Sequence, residues 1–202
     1  MIAIIDYGVG NLFSLKSSFA AIGAQAIVTD KPEDLRTADK IILPGVGAFA
    51  DAAAKLRSSP AYSTLLEEVA SGKPMLGICL GMQLLFDKSY EYGEHKGLGL
   101  IPGEVRYIGE WIPSNLKIPH IGWNALKFKN PSSLFKYIKE GDCVYFVHSY
   151  AATSCDYVTA EAEYGAWLTA SVAKGNIFGC QFHPEKSGTV GLNILRAFCE
   201  MG

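Results

Sequence analysis

Cys79 lies between Gly77 and Gly81 in G-I-C-L-G-M-Q, where one apolar run ends at Ile78 and another begins at Leu80. A strand that turns directly into a helix at this point exposes the corner residue. Glycines two before and two after it remove the clash between strand and helix. The spacing is that of a nucleophile elbow with sulfur in place of oxygen. At such a corner the following helix N-terminus favours a thiolate, and the Leu80 N–H is free to bind an oxyanion. A tight turn around an inert, buried cysteine fits the same five residues.

A thiolate nucleophile needs a base, and the chain has four histidines. His95 sits among Glu and Lys, and His120 in a proline-flanked loop, which suits surface or structural roles. His148, in V-H-S-Y, is either a core or a substrate-facing residue. His183 closes an apolar run in C-Q-F-H-P-E. Pro184 biases it toward extended backbone, and residues two apart on an extended segment share a side. Glu185 can then accept from one ring nitrogen while the other takes the thiol proton, completing a nucleophile, base and orienter. An exposed turn after a strand is the plainer reading of H-P-E.

A third segment, L-P-G-V-G-A-F at Leu43 to Phe49, follows another apolar run. If that run is a parallel strand, the loop emerges at the same sheet edge as Cys79, and its glycines let backbone N–H groups approach a ligand. Val46 or Gly47 would supply the second oxyanion donor. The Lys-Ser/Thr of a phosphate loop is missing. The G-V-G at Gly8 to Gly10 has Phe13 where a dinucleotide fingerprint requires Gly or Ala, so both nucleotide readings are rejected.

The elements that must hold these groups alternate through the first half. Strands are predicted at Ile2 to Ile5, Ala26 to Thr29, Lys40 to Leu43 and Pro74 to Ile78. Helices are predicted at Asn11 to Ile22, capped by Asn11, at Ala48 to Arg57, at Tyr62 to Ala70 and from near Leu80. Strands apolar on both faces indicate an α/β fold with a mainly parallel central sheet and helices on both sides. After about Tyr90 the rhythm changes to short strands, near 104–108, 124–128, 143–150, 157–163, 168–173 and 177–182, that suggest extra antiparallel hairpins, followed by a helix over 190–201. No repeat or linker divides the 202 residues, which read as one domain.

Composition excludes several classes of function. Apolar residues make up 49% and charged residues 19%, as in a packed globular protein. The net charge of -2 and the absence of a Lys/Arg cluster argue against nucleic acid, and no apolar segment is long enough for a membrane. Five cysteines without a C-x-x-C pair argue against a disulfide framework or a zinc site. With no targeting leader at the N-terminus, a cytoplasmic location is expected, and no metal or cofactor is called for.

P-G-V-G-A-F, G-I-C-L-G-M-Q and Q-F-H-P-E-K-S, in this order, resemble the class I, triad-type glutamine amidotransferases. D-Y-G-V-G-N, P-H-I-G-W-N and Y-F-V-H-S-Y are similar to the branch that forms glutaminase subunits of imidazole glycerol phosphate synthases, in histidine biosynthesis. The resemblance implies glutamine hydrolysis by Cys79, His183 and Glu185. It also implies an oxyanion held by backbone at Leu80 and Val46 or Gly47, and ammonia passed to a cyclase subunit built as a (β/α)8 barrel. Gln83 is implied to contact the amino acid end of the substrate, with His148, Ser149 and Tyr150 at the same end. Asn11, Trp123, Asn124 and Lys186 are implied interface residues. Two other readings stay open: a glutaminase for another synthase, such as the one making pyridoxal phosphate, and a catalytically silent partner-binding regulator.

Overall fold

The structure is a computed structural model that describes residues 1–201. In the first half β1 (Ile2–Ile5), β2 (Ala26–Thr29), β3 (Lys40–Leu43) and β4 (Met75–Ile78) alternate with α1 (Leu12–Ala21), α2 (Pro32–Thr37), α3 (Phe49–Ser58), α4 (Tyr62–Ala70) and α5 (Leu80–Leu84). The second half adds β5 (Phe86–Ser89), β6 (His95–Lys96), β7 (Ile101–Tyr107), β8 (His120–Ala125), β9 (Lys127–Phe128), β10 (Cys143–His148) and β11 (Tyr150–Ala152). It closes with β12 (Val158–Glu163), β13 (Trp167–Lys174), β14 (Ile177–Cys180) and α6 (Gly188–Cys199).

The central sheet runs β2-β1-β3-β4-β14-β13-β12-β9. Its first five strands are parallel and the rest antiparallel. The pleat explains the two-sided cover, because successive side chains point to opposite faces. Ile2, Ile4, Ile42, Leu76 and Ile78 pack with Leu15 and Phe19 of α1 and Ile194, Leu195 and Phe198 of α6. Ala3, Ile5, Ile41, Leu43 and Met75 face Leu35 of α2, Leu56 of α3 and Leu65 and Val69 of α4. Among the described residues no helix is long and apolar enough to cross a membrane.

The expected elements of the first half are present, with α2 as an addition that the short P-E-D-L-R-T segment did not reveal. Asn11 precedes α1 as anticipated, but its side chain makes no capping hydrogen bond. The second half departs further from expectation. β14 joins the sheet parallel to β4, and β5 pairs parallel with β7 in a separate four-stranded sheet ordered β11-β7-β5-β6. The anticipated 143–150 strand breaks at Ser149: β10 pairs with β8, whereas β11 joins β7.

One consequence of the topology matters most for chemistry. β4 lies between β3 and β14, all three parallel, with Gly77 opposite both Leu43 and Gly179. Residues just past the ends of these strands, 44–48, 79 and 181–185, therefore meet at one carboxyl edge.

Candidate active site

Cys79 takes φ 54° and ψ -113°, a left-handed conformation that costs a non-glycine residue roughly 1–3 kcal/mol. Close packing of three glycines holds the strand, corner and loop around it. A Cβ on Gly77 would meet the Gly81 carbonyl oxygen at 2.7 Å, so the strand and the helix behind the corner approach as the elbow pattern predicts. Gly81 is crowded from elsewhere: its Cβ would lie 1.9 Å from the Leu43 oxygen. Gly45 in turn would press on the Gly81 nitrogen at 2.5 Å, which sets the 44–48 loop directly on the first residues of α5.

That loop is also tied at both ends. The Tyr7 hydroxyl donates to the Pro44 carbonyl at 2.5 Å, and the Phe49 N–H donates to Glu91 Oε2 at 2.7 Å. Freedom is left to Val46 and Gly47, the latter at φ 89° with open space around its Cα. Neither donates its N–H to a backbone carbonyl among the described residues. The Leu80 N–H, first in α5, has no partner within its helix by position.

His183 has φ -100° and ψ 98°, the extended backbone anticipated before Pro184. Its N–H donates to the Tyr145 carbonyl, and its own carbonyl accepts from Ser187 Oγ, which anchors it to β10. Nδ1 lies 2.8 Å from Glu185 Oε1. The route to this contact differs from the extended-segment expectation, because Pro184–Lys186 form a single 3-10 turn that carries Glu185 back toward the ring. Burial disfavours the charged imidazole, yet the Cys79 sulfur and the Glu185 carboxylate outweigh it and raise the His183 pKa from 6.5 to about 9. Near neutral pH these two neighbours favour the imidazolium form of the ring. Glu185 Oε2 is buried without a hydrogen-bond partner.

Cys79, His183, Leu80, Val46, Gly47, Gln83, His148, Ser149 and Tyr150 line one cavity of about 310 Å³. Lys186 reaches its wall and sits 5.8 Å from the centre of the Tyr145 ring, and Trp123, 56% exposed, packs edge-on against the same ring. Asn11 lies apart from this cavity at the start of α1. Asn124 is occupied internally, with Nδ2 donating to the Glu163 carbonyl at 2.7 Å and Oδ1 accepting from the Ala125 N–H.

Gln83 is more constrained than a surface helix residue. Its Nε2 donates to the Tyr150 carbonyl at 2.9 Å and to Gln181 Oε1 at 3.0 Å, so both hydrogens are used and only Oε1 is left for a ligand. An acceptor alone suits an ammonium group and not a carboxylate. His148 is a buried cross-strand partner of His120, with Nε2 3.0 Å from His120 Nδ1 and Nδ1 2.9 Å from the Tyr150 carbonyl. Burial lowers the His148 pKa to about 3 and the His120 pKa to about 4, which keeps both rings neutral.

Glu91 and Gln181 escaped the sequence reading. Glu91 lines the cavity from the turn after β5, where Y-E-Y-G-E looks like an ordinary polar loop. Gln181 stands in the same run as His183, and its place beside the Cys79 corner depends on the β4–β14 pairing.

The profile of the glutamine amidotransferase class-I family matches residues 3–201. Imidazole glycerol phosphate synthase subunit HisH of Syntrophotalea carbinolica is 47% identical, covering all of both chains. The subunit of the same name from Bacillus velezensis is 49% identical over all of this chain and 96% of its own. A crystal structure of a glutamine amidotransferase superposes with a TM-score of 0.76 at 19% identity, covering 99% of this chain and 98% of the other. A chain of PurLQS from Thermotoga maritima gives 0.73 at 19% identity, with 98% and 96% covered. At that identity these two structures speak for the fold alone.

Proposed function

This chain belongs to the class I glutamine amidotransferases, and we propose that it hydrolyses glutamine with Cys79, His183 and Glu185 and passes the ammonia to a cyclase subunit. It is the glutaminase subunit of an imidazole glycerol phosphate synthase, a reading supported by full-length relatives of that name at 46–49% identity. The observation that favours this chemistry is the strained Cys79 corner beside an imidazole held 2.8 Å from a buried carboxylate.

The Cys79 thiol gives its proton to His183 as the sulfur attacks the carboxamide carbon, and the carbonyl electrons move onto oxygen. Backbone N–H groups of Leu80 and of Val46 or Gly47 hold that oxyanion. As the oxyanion collapses, the C–N bond breaks and the His183 imidazolium gives its proton to the departing nitrogen, releasing ammonia and leaving a thioester. The now neutral His183 takes a proton from water, hydroxide adds to the thioester carbon, and collapse expels the thiolate and frees glutamate. Glu185 keeps Nδ1–H oriented throughout. Gln83 Oε1 accepts from the substrate ammonium, with the Ser149 and Tyr150 backbone at the same end.

Free ammonia in neutral water is largely protonated and no longer nucleophilic, so transfer to a cyclase needs a sheltered route. Trp123, Lys186 and Asn11 are the interface candidates, and Phe13 and Ile121, 83% and 57% exposed, add apolar surface. Co-purification with a cyclase candidate, followed by measurement of glutamate release with and without it, tests this reading. A marked rise on binding, larger with the acceptor ligand of the cyclase, supports it. An isolated chain as active as the complex refutes the coupling, and absence of glutaminase activity in both refutes the reading.

A further inference from the structure

Gln181 follows β14 and is fully buried next to the Cys79 corner. Its Nε2 lies 3.7 Å from Cys79 Sγ. The orientation of this amide follows from its neighbours. The Tyr150 carbonyl can only accept, so the Gln83 atom facing it at 2.9 Å is nitrogen. The same nitrogen faces Gln181 at 3.0 Å, which obliges Gln181 to present its oxygen there and its N–H to the sulfur. The Tyr150 carbonyl is held from its other side by His148 Nδ1, whose ring is fixed in turn by His120. Each bond in this chain has one allowed direction.

The sulfur needs such a donor. α5 has only five residues, so its dipole gives a thiolate less support than the helix anticipated from the sequence. His183 supplies one cationic partner on one side. We propose that Gln181 is the side-chain donor to the Cys79 sulfur, stabilising it as a thiolate and aiming it for attack, with Gln83 and the Tyr150 carbonyl fixing which end of the amide the sulfur meets. This assignment deepens the glutaminase reading and rests on it. A thiolate accepts an N–H far better than a thiol does, so the contact favours the reactive form.

The test is alkylation of Cys79 by iodoacetamide from pH 5 to 10, followed by peptide mass mapping so that exposed Cys143 does not interfere. It is run on the whole chain, with melting curves as a check of folding. Gln181→Met keeps the bulk, adds no charge and removes the donor. Its alkylation profile is expected to move to higher pH by about one unit, slowing the reaction about tenfold on the acid side of the native midpoint. Gln181→Glu, which also sets a carboxylate against the sulfur, is expected to move it further. An unchanged profile in folded Gln181→Met overturns the proposal. Should neither variant fold, the side-chain amide resonance of Gln181 in the native chain decides: it shifts in Cys79→Ala if sulfur is its acceptor, and an unmoved resonance overturns the assignment. Neither measurement requires glutamine turnover, so a failure here is separable from a failure of the glutaminase reading, which labelling by a glutamine analogue reports.

Discussion

Replacing Glu185 with glutamine removes a charge while keeping shape, and its consequences can be worked from the geometry. In the native site His183 Nδ1–H donates to Oε1 at 2.8 Å, with the carboxylate side chain 1% exposed. In Glu185→Gln the amide oxygen takes that place. The NH2 group then points where Oε2 now lies, a buried position with no partner, so no new bond compensates. The native imidazole pKa stands at about 9 against 6.5, a net preference for the charged ring of about 3 kcal/mol after the opposing cost of burial. A hydrogen bond to a charged group contributes about 1.5–3 kcal/mol, so kcat/KM is expected to fall roughly 10- to 100-fold. Loss of the anion also lets burial pull the imidazole pKa down. The alkaline limb of the rate profile, where the imidazolium acid is lost, should move to lower pH by about one unit. Stability should fall by about 1–3 kcal/mol, because an unpartnered buried NH2 replaces the unpartnered oxygen while the charge-assisted bond to His183 is lost. Glutamate release by the complex from pH 6 to 10, beside a thermal melt, reads all three. A folded variant with native rates and an unmoved alkaline limb would refute the orienting role and leave H-P-E as a turn.

Cys79→Ala should abolish glutamine turnover while serine at Cys143, Cys155, Cys180 or Cys199 leaves it active. A glutamine-analogue alkylator should label one cysteine by mass mapping, and labelling elsewhere refutes the assignment. Gly81→Ala places a Cβ 1.9 Å from the Leu43 oxygen, so the corner must open. The expected outcome is loss of most activity and of at least about 2 kcal/mol in a denaturant titration, and native values of both would contradict the packing account. Trp123→Ala and Lys186→Ala should reduce activation by the cyclase subunit more than basal glutaminase activity, read from rates with and without the partner. Stability should peak near pH 6.5. His120 and His148, with folded pKa values depressed to about 4 and about 3, contribute stability above pH 6.5 that is lost as pH falls through those values. His183, with its value raised, contributes stability below pH 6.5 that is lost as pH rises through about 9. His120→Phe should flatten the acid limb of a melting-temperature profile.

The Cys79 corner and the extended backbone of His183 were legible in the sequence because each sits in a local pattern whose reason is local. A corner between strand and helix needs small neighbours, and a residue before proline is held extended. The apolar runs of β1, β3 and β4 likewise announce a buried parallel sheet, since strands covered on both faces have no polar side. What lay outside the sequence was how closely distant segments press on one another and which atoms they bring into contact. Nothing in the residues around Gly81 says that the Leu43 carbonyl will press on it, and nothing in Y-E-Y-G-E says that Glu91 will hold the start of α3. The pairing of β14 between β4 and β13 is likewise a long-range choice, and it places Gln181 against the Cys79 sulfur. Glu185 reaches His183 through a 3-10 turn where an extended segment was anticipated, and Gln83 turns its nitrogen inward to Tyr150 and Gln181 and its oxygen to the cavity. Local sequence fixes backbone preference and the types of group available. The direction of a buried hydrogen bond is set by whichever acceptor the fold brings within about 3 Å, and that depends on the closure of the whole sheet.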